Sequence, residues 1–347
     1  MKIFVFGSSI ASCYWNGAAT YYRGIYKYLH ALGHRITFAE PDAYGRQQKL
    51  DPGVRDYVDV VVYGRRDLAK LLQDASRAEF VIKHSGVGVD DDLLEEQVLS
   101  CRSERTRVAF WDVDAPATLS RVEGDNRDPF RGLIPQYDLI LTYGGGDEVV
   151  RQYLRLGAQS CHPIYNGLDP DTHHPVEPDA SVACDLLFVG NRLPDRERRV
   201  EEYFIRTAEL SPGSSFILGG EGWEGKRLPS NMRWIGHVST ADHNRLNSSA
   251  RMVLNINRDS MAEVGFSPPT RIFEAAGAGA CVITDSWNGI AEFFAPCDEI
   301  LVASGAEDVV SYLTSIDSRR AVTIGDLGRK REINDSQIRF LRAREIF

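Results

Sequence analysis

Ile3-Phe4-Val5-Phe6 is an apolar run closed by Gly7 and Ser8, too short for a helix and matched to a fully buried parallel strand entering its loop. Behind it Tyr21, Ile25, Tyr28, Leu29 and Leu32 recur at helical spacing, Gly33-His34 stops them, and Ile36-Thr37-Phe38 begins another apolar run. Strand, helix, strand in that order is a right-handed βαβ unit, and a chain that keeps repeating it is committed to a parallel sheet with helices on both faces. The repetition continues through Val58 to Tyr63, a helix near Asp67 to Gln73, Phe80-Val81-Ile82, a helix from Asp91 to Ser100, Val108 to Trp111 and Leu139 to Thr142.

Between Asn166 and Asp179 the pattern breaks at Gly167, Pro170, Pro175 and Pro178. It then restarts with Leu186 to Gly190, Phe216 to Gly220, Met232 to Gly236, Val253 to Ile256, Cys281 to Thr284 and Ile300 to Val302. A chain of 347 residues is also too long for one comfortable core. The expectation is an α/β protein of two doubly wound, Rossmann-like domains: 1–168, a linker over 169–180, and 181–347. The last twenty residues are charged and carry at most a short helix from Ser336 to Ile346.

With 43% hydrophobic and 26% charged residues the chain has the balance of a globular protein. Its net charge of -9 argues against nucleic acid or an anionic membrane as partner, so any phosphate must be met by a local basic cluster. The six cysteines are scattered, with no CxxC pair and no His/Cys cluster at metal-ligand spacing, which fits buried thiols in a reducing cytoplasm and no metal or cofactor. Gly7 ends the first apolar run too early for a signal peptide, and no stretch approaches a membrane span.

Four segments carry candidate chemistry. Gly190-Asn191-Arg192-Leu193-Pro194-Asp195-Arg196 follows a strand and opens a helix, where Arg192 and Arg196 fit a diphosphate clamp or an exposed charged cap. In Phe266 to Gly279 the prolines Pro268 and Pro269 start a helix near Thr270, directing Ser267, Thr270 and Arg271 at an anion and placing Glu274 one turn on, where a carboxylate can accept ribose hydroxyls or simply pair with Arg271. Gly17 opens the first helix and allows close backbone approach to a ligand, or only a turn. His84 and Asp114 each follow a strand of the first half; either is a candidate catalytic base, and either fits a structural role. There is no GxGxxG, which disfavours a dehydrogenase.

Taken in order, NGAATYYRGIYKYLHALGHRITF, YDLILTYGGGDEVVRQYLRLGA, PIYNGLDP, LLFVGNRL, NMRWIGHVSTADHNRLNSSARMVLNI and RIFEAAGAGACVITD resemble the group 1 glycosyltransferases, and within them the CgeB-like branch named for a spore-maturation protein. The resemblance covers nearly the whole chain. It implies the GT-B fold, two Rossmann-like domains facing a cleft, with a nucleotide-diphosphate sugar as donor bound mainly by the C-terminal half. It further implies that Arg192 and Arg196 contact the diphosphate, that Glu274 holds the ribose, and that Gly236 and His237 border the base. The acceptor, whether glycan, lipid, small molecule or protein, is not indicated. One departure stands out: the wider family has a glutamate eight residues before Glu274, and this chain has Phe266 there.

Positive groups fixed where charge grows on the departing diphosphate lower the barrier without a metal, which assigns electrophilic assistance to Arg192, Arg196 and Arg271. Retention is what the resemblance implies; inversion would need Asp114 or His84 as base. An epimerase or hydrolase of the same fold, and a degenerate binding protein, are the alternatives.

Overall fold

The computed structural model describes residues 1–14, 16, 18–51 and 53–346, with side chains through Asp335. Two compact units result: Met1–Tyr165 together with Arg339–Phe347, and Asn166–Ile338.

The first unit runs β1 (Lys2–Phe6), α1 (Ala19–Ala31), β2 (Arg35–Pro41), β3 (Asp59–Tyr63), α2 (Leu68–Ala75), β4 (Phe80–His84), α3 (Asp91–Gln97), β5 (Arg107–Asp112), α4 (Ala115–Gly124), α5 (Pro129–Leu133), β6 (Leu139–Thr142), α6 (Gly146–Arg155) and β7 (Cys161–Pro163). Its seven strands order as β3-β2-β1-β4-β5-β6-β7. All pairs are parallel, with Val5 facing Phe38 on one side and Ile82 on the other. The apolar runs are buried on both faces, as parallel strands between helix layers must be: Val5, Phe6, Ile82, Ala109 and Ile140 are 0% exposed.

The second unit repeats the plan with β8 (Cys184–Val189), α7 (Pro194–Val200), α8 (Arg206–Leu210), β9 (Phe216–Gly219), β10 (Met232–Trp234), α9 (Thr240–Ser249), β11 (Ala250–Asn255), α10 (Asp259–Val264), α11 (Thr270–Gly277), β12 (Val282–Asp285), α12 (Ile290–Phe293), β13 (Leu301–Ala303), α13 (Ala306–Ser315) and α14 (Ser318–Ile346). Its six strands order as β10-β9-β8-β11-β12-β13, again all parallel. The proline-rich segment that opens this unit is strapped to α9: Asn244 donates to the Thr172 carbonyl at 2.9 Å, and Ser249 accepts from the Asp179 N–H at 2.8 Å.

Two elements differ from the sequence expectation. The short edge strand β7 has only three residues and no apolar run to announce it. The terminal helix is 29 residues long rather than confined to Ser336–Ile346. Gly325 and Gly328 masked it, because glycine is a poor helix former, yet here they let the helix lie close on its neighbours. A Cβ at position 325 would stand 2.1 Å from the Gly279 carbonyl oxygen. Gly325→Ala is therefore expected to destabilise by about 1–3 kcal/mol through overpacking, although the same change in an exposed helix would stabilise by roughly 0.5–1 kcal/mol. Thermal unfolding checks the sign: a melting temperature at or above wild type would mean that α14 is not docked there.

No helix among the described residues is long and apolar enough to cross a membrane, and all six cysteines are free thiols.

Candidate functional site

Each sheet reverses its winding between its first and fourth strands, β1/β4 and β8/β11, and in open α/β sheets ligands bind outside the carboxyl ends of the strands at such a switch point. In the second unit β8 ends at Val189 and the chain turns through Gly190-Asn191-Arg192-Leu193 into α7. Pro194 occupies the first helical turn, where a missing N–H is harmless, and this sets Arg196 in that same turn. The helix α11 starts at Thr270 directly behind Pro269, placing Arg271 in its first turn.

Arg196 and Arg271 meet over the end of β8. Their guanidiniums lie 5.6 and 5.0 Å from the Phe188 ring centroid. Arg271 donates Nε–H to the Val189 carbonyl and Nη1–H to Asn255 Oδ1 at 3.1 Å, while Arg196 donates to the Asn191 carbonyl. Gly190 makes this approach possible, because a Cβ there would stand 2.8 Å from Arg271 Nη2 and 2.9 Å from Arg196 Nη2. Burial, and then repulsion from Arg271, push the Arg196 guanidinium down to about 9. Its Nε is buried and makes no hydrogen bond among the described residues; the same holds for Ser267 Oγ, just before α11. Two close cations at a switch point suit an anion with more than one charge.

The surrounding charges are already matched. Arg199 donates to Asp285 at 2.5 Å, Arg258 to Asp195 at 2.5 Å, and Arg192 to Glu197 at 2.7 Å. Glu197 also accepts from Lys226, and these partners hold its carboxyl down at about 2. The pair that converges is thus Arg196 with Arg271, whereas the sequence paired Arg192 with Arg196. Arg192 reaches out to Glu197 on the partly exposed face of α7.

Glu274 lies one turn beyond Arg271 on α11, with His243 Nδ1 3.6 Å from its carboxylate. Gly236, in a left-handed turn at φ 74, accepts from the Gly220 N–H at 2.7 Å, and His237 follows it half-buried. Phe266 is held at φ 48 with its N–H on the Asn288 carbonyl at 2.7 Å and its ring over Gly289, so this is a packing position. Gly17 lies outside the described residues.

In the first unit His84 is a core residue. It is 1% exposed, its Nε2 shares a 2.6 Å hydrogen bond with the Tyr26 hydroxyl, and its ring stacks 3.6 Å from that of Tyr22. Burial, reinforced by Lys83, holds its pKa well below the ordinary histidine value. Asp114 instead lines a cavity of about 450 Å³, with Ser8, Asn16, Ser85, Asp91 and Glu95 among the polar residues of its wall. Burial raises the Glu95 carboxyl to about 7 against the pull of Lys83, whose Nζ is 3.6 Å away. A carboxyl raised on folding holds its proton longer in the folded state, so its contribution to stability is present below about pH 4.3 and is lost as pH rises toward 7. Glu95→Gln is accordingly expected to raise the melting temperature at pH 8 and not at pH 5; an equal change at both would contradict the assignment.

Sequence reasoning missed Phe188 and Asn255, whose roles arise only when strand ends are side by side. It also missed the grouping of His173, His243 and Glu274, which are far apart in the chain.

Residues 196–339 match the model of a family described as glycosyl transferase-like. No curated protein matches the chain in sequence. Among solved structures, Anabaena HepE in complex with UDP-glucose is similar at 13% identity and a TM-score of 0.70, over 100% of this chain and 99% of that one. Sucrose-phosphate synthase from Thermosynechococcus elongatus is similar at 14% identity and a TM-score of 0.70, over 100% and 98%. The catalytic domain of starch synthase IV from Arabidopsis thaliana, bound to ADP and acarbose, is similar at 11% identity and a TM-score of 0.64, over 99% of each chain. The matched segment carries Arg196, Arg271 and Glu274, and the two Rossmann-like units, of seven and six parallel strands, are those of the GT-B glycosyltransferase fold.

Proposed function

We propose that the protein is a cytoplasmic, metal-independent glycosyltransferase that takes its sugar from a nucleotide-diphosphate donor and transfers it with retention to an acceptor other than nucleic acid. The observation that carries this reading is the convergence of Arg196 and Arg271 over Phe188, at the β8/β11 switch point. The membership we favour is the CgeB-like branch, on the strength of the ordered motifs and of the glycosyl transferase-like match over 196–339.

In this mechanism the two guanidiniums stabilise the charge that grows on the β-phosphate as the glycosidic bond breaks. Gly190, Ser267 and Thr270, at the openings of α7 and α11, supply close backbone and hydroxyl contacts. Arg192 adds its charge on leaving Glu197. Glu274 accepts the ribose hydroxyls, and Gly236 and His237 border the base. The acceptor hydroxyl attacks from the face the diphosphate leaves and gives its proton to that diphosphate. Asp114 is the remaining candidate base should the product be inverted.

The test is to incubate EDTA-treated protein with UDP-, GDP-, dTDP- and ADP-sugars and a panel of acceptors, following the anomeric proton by NMR. Nucleoside diphosphate release in EDTA, with product of the donor's anomeric configuration, is the expected result. Turnover without any acceptor would indicate an epimerase or hydrolase. Binding without turnover would favour a degenerate protein, the reading suggested by Phe266.

A further inference from the structure

His173, His243 and Glu274 come from three elements: the strapped segment before β8, the helix α9 and the helix α11. Their ligand-type atoms all lie within 4.8 Å of one another. The two imidazoles are stacked at 5.8 Å and 26°. His173 is 3% exposed, and the side chains of His243 and Glu274 are 15% and 12% exposed. The backbone fixes the group in place: the His173 N–H donates to the Asp169 carbonyl at 2.9 Å, and a Cβ on Gly277 of α11 would meet the His173 carbonyl at 3.0 Å. His243 Nδ1 is buried, stands 3.6 Å from the Glu274 carboxylate, and makes no hydrogen bond among the described residues.

A tetrahedral ion with bonds of about 2.0–2.1 Å keeps its ligand atoms roughly 3.4 Å apart, so modest side-chain rotations close this group around a cation. Two imidazoles and one carboxylate select a borderline ion such as zinc; magnesium and calcium take oxygen ligands. Three protein ligands leave one position for water.

We propose that His173, His243 and Glu274 form a binding site for a zinc-class divalent cation, and that the bound ion competes with the nucleotide for Glu274. The metal would then act as an inhibitor of an enzyme that needs none for chemistry. The competition rests on the ribose reading of Glu274; the metal site itself does not.

The experiment uses tag-free, EDTA-stripped, dialysed protein. Cobalt is titrated in as a spectroscopic probe, and the expected result is visible absorption that saturates at one equivalent, is bleached by zinc, and is missing in His243→Gln and Glu274→Gln. Circular dichroism and melting in EDTA establish that both variants are folded. No visible bands, or bands that persist in both variants, overturn the site. In a second arm, UDP, GDP and ADP are titrated with and without zinc. The apparent Kd of the nucleotide that binds is expected to rise at least about tenfold in wild type, and to be insensitive to zinc in His243→Gln. Cobalt binding with no effect of zinc on nucleotide affinity overturns the competition. If no nucleotide binds even in EDTA, the donor reading fails and takes the competition with it, while the cobalt titration still decides the site.

Discussion

Arg196→Met is expected to lower kcat/KM for the nucleotide-sugar by about 10²–10³-fold while leaving the protein as stable as wild type or more stable. The two halves of this result have one cause. Arg196 is 7% exposed, and burial together with Arg271 pushes its guanidinium down to about 9. A base whose pKa is lowered on folding binds its proton more weakly in the folded state. Its cost to stability is therefore full at neutral pH and fades only as pH rises above about 9. A bound diphosphate removes that cost by supplying the opposite charge. Methionine fills the stem's volume over Phe188 without the charge, so stability is kept and the leaving group loses a fixed cation. Arg271→Met should cost more stability, because Arg271 donates two hydrogen bonds, to the Val189 carbonyl and to Asn255 Oδ1, where Arg196 donates one, to the Asn191 carbonyl. Kinetics and melting curves of both variants check this; loss of activity with a large loss of stability in Arg196→Met would make Arg196 a structural residue.

Glu274→Gln is expected to weaken donor binding by roughly 10- to 100-fold, the range for hydrogen bonds to a charged acceptor. The loss should be confined to the ribose. Wild type should prefer a ribonucleoside diphosphate over its 2′-deoxy form, and the variant should bind the two about equally. Calorimetric titration of both nucleotides into both proteins decides it. An undiminished ribose preference in the variant would move the ribose site elsewhere.

Much of this was legible in the sequence, because the signals were local. The apolar runs Ile3–Phe6 and Leu186–Phe188 are buried strands, Pro268-Pro269 does start α11 at Thr270, and the two doubly wound parallel sheets follow from repeated βαβ units. What escaped was non-local. The sequence names Arg192, Arg196 and Arg271 alike; that Arg196 and Arg271 converge while Arg192 pairs with Glu197 follows only from the folding of β8 beside β11. His84 carried the chemistry of a base but lies among Tyr22, Tyr26 and Trp111, an aromatic box assembled from α1, β4 and β5. The glycines of α14 argued against the helix that needs them for close packing.

The most direct test of the donor site is calorimetric binding of nucleoside diphosphates and the matching monophosphates to EDTA-treated wild type and Arg196→Met. A cradle of two guanidiniums requires that one diphosphate bind at least about tenfold more tightly than its monophosphate, and that this gap close in the variant. Equal affinity for both, or a gap that survives in Arg196→Met, would contradict a donor diphosphate on Arg196 and Arg271.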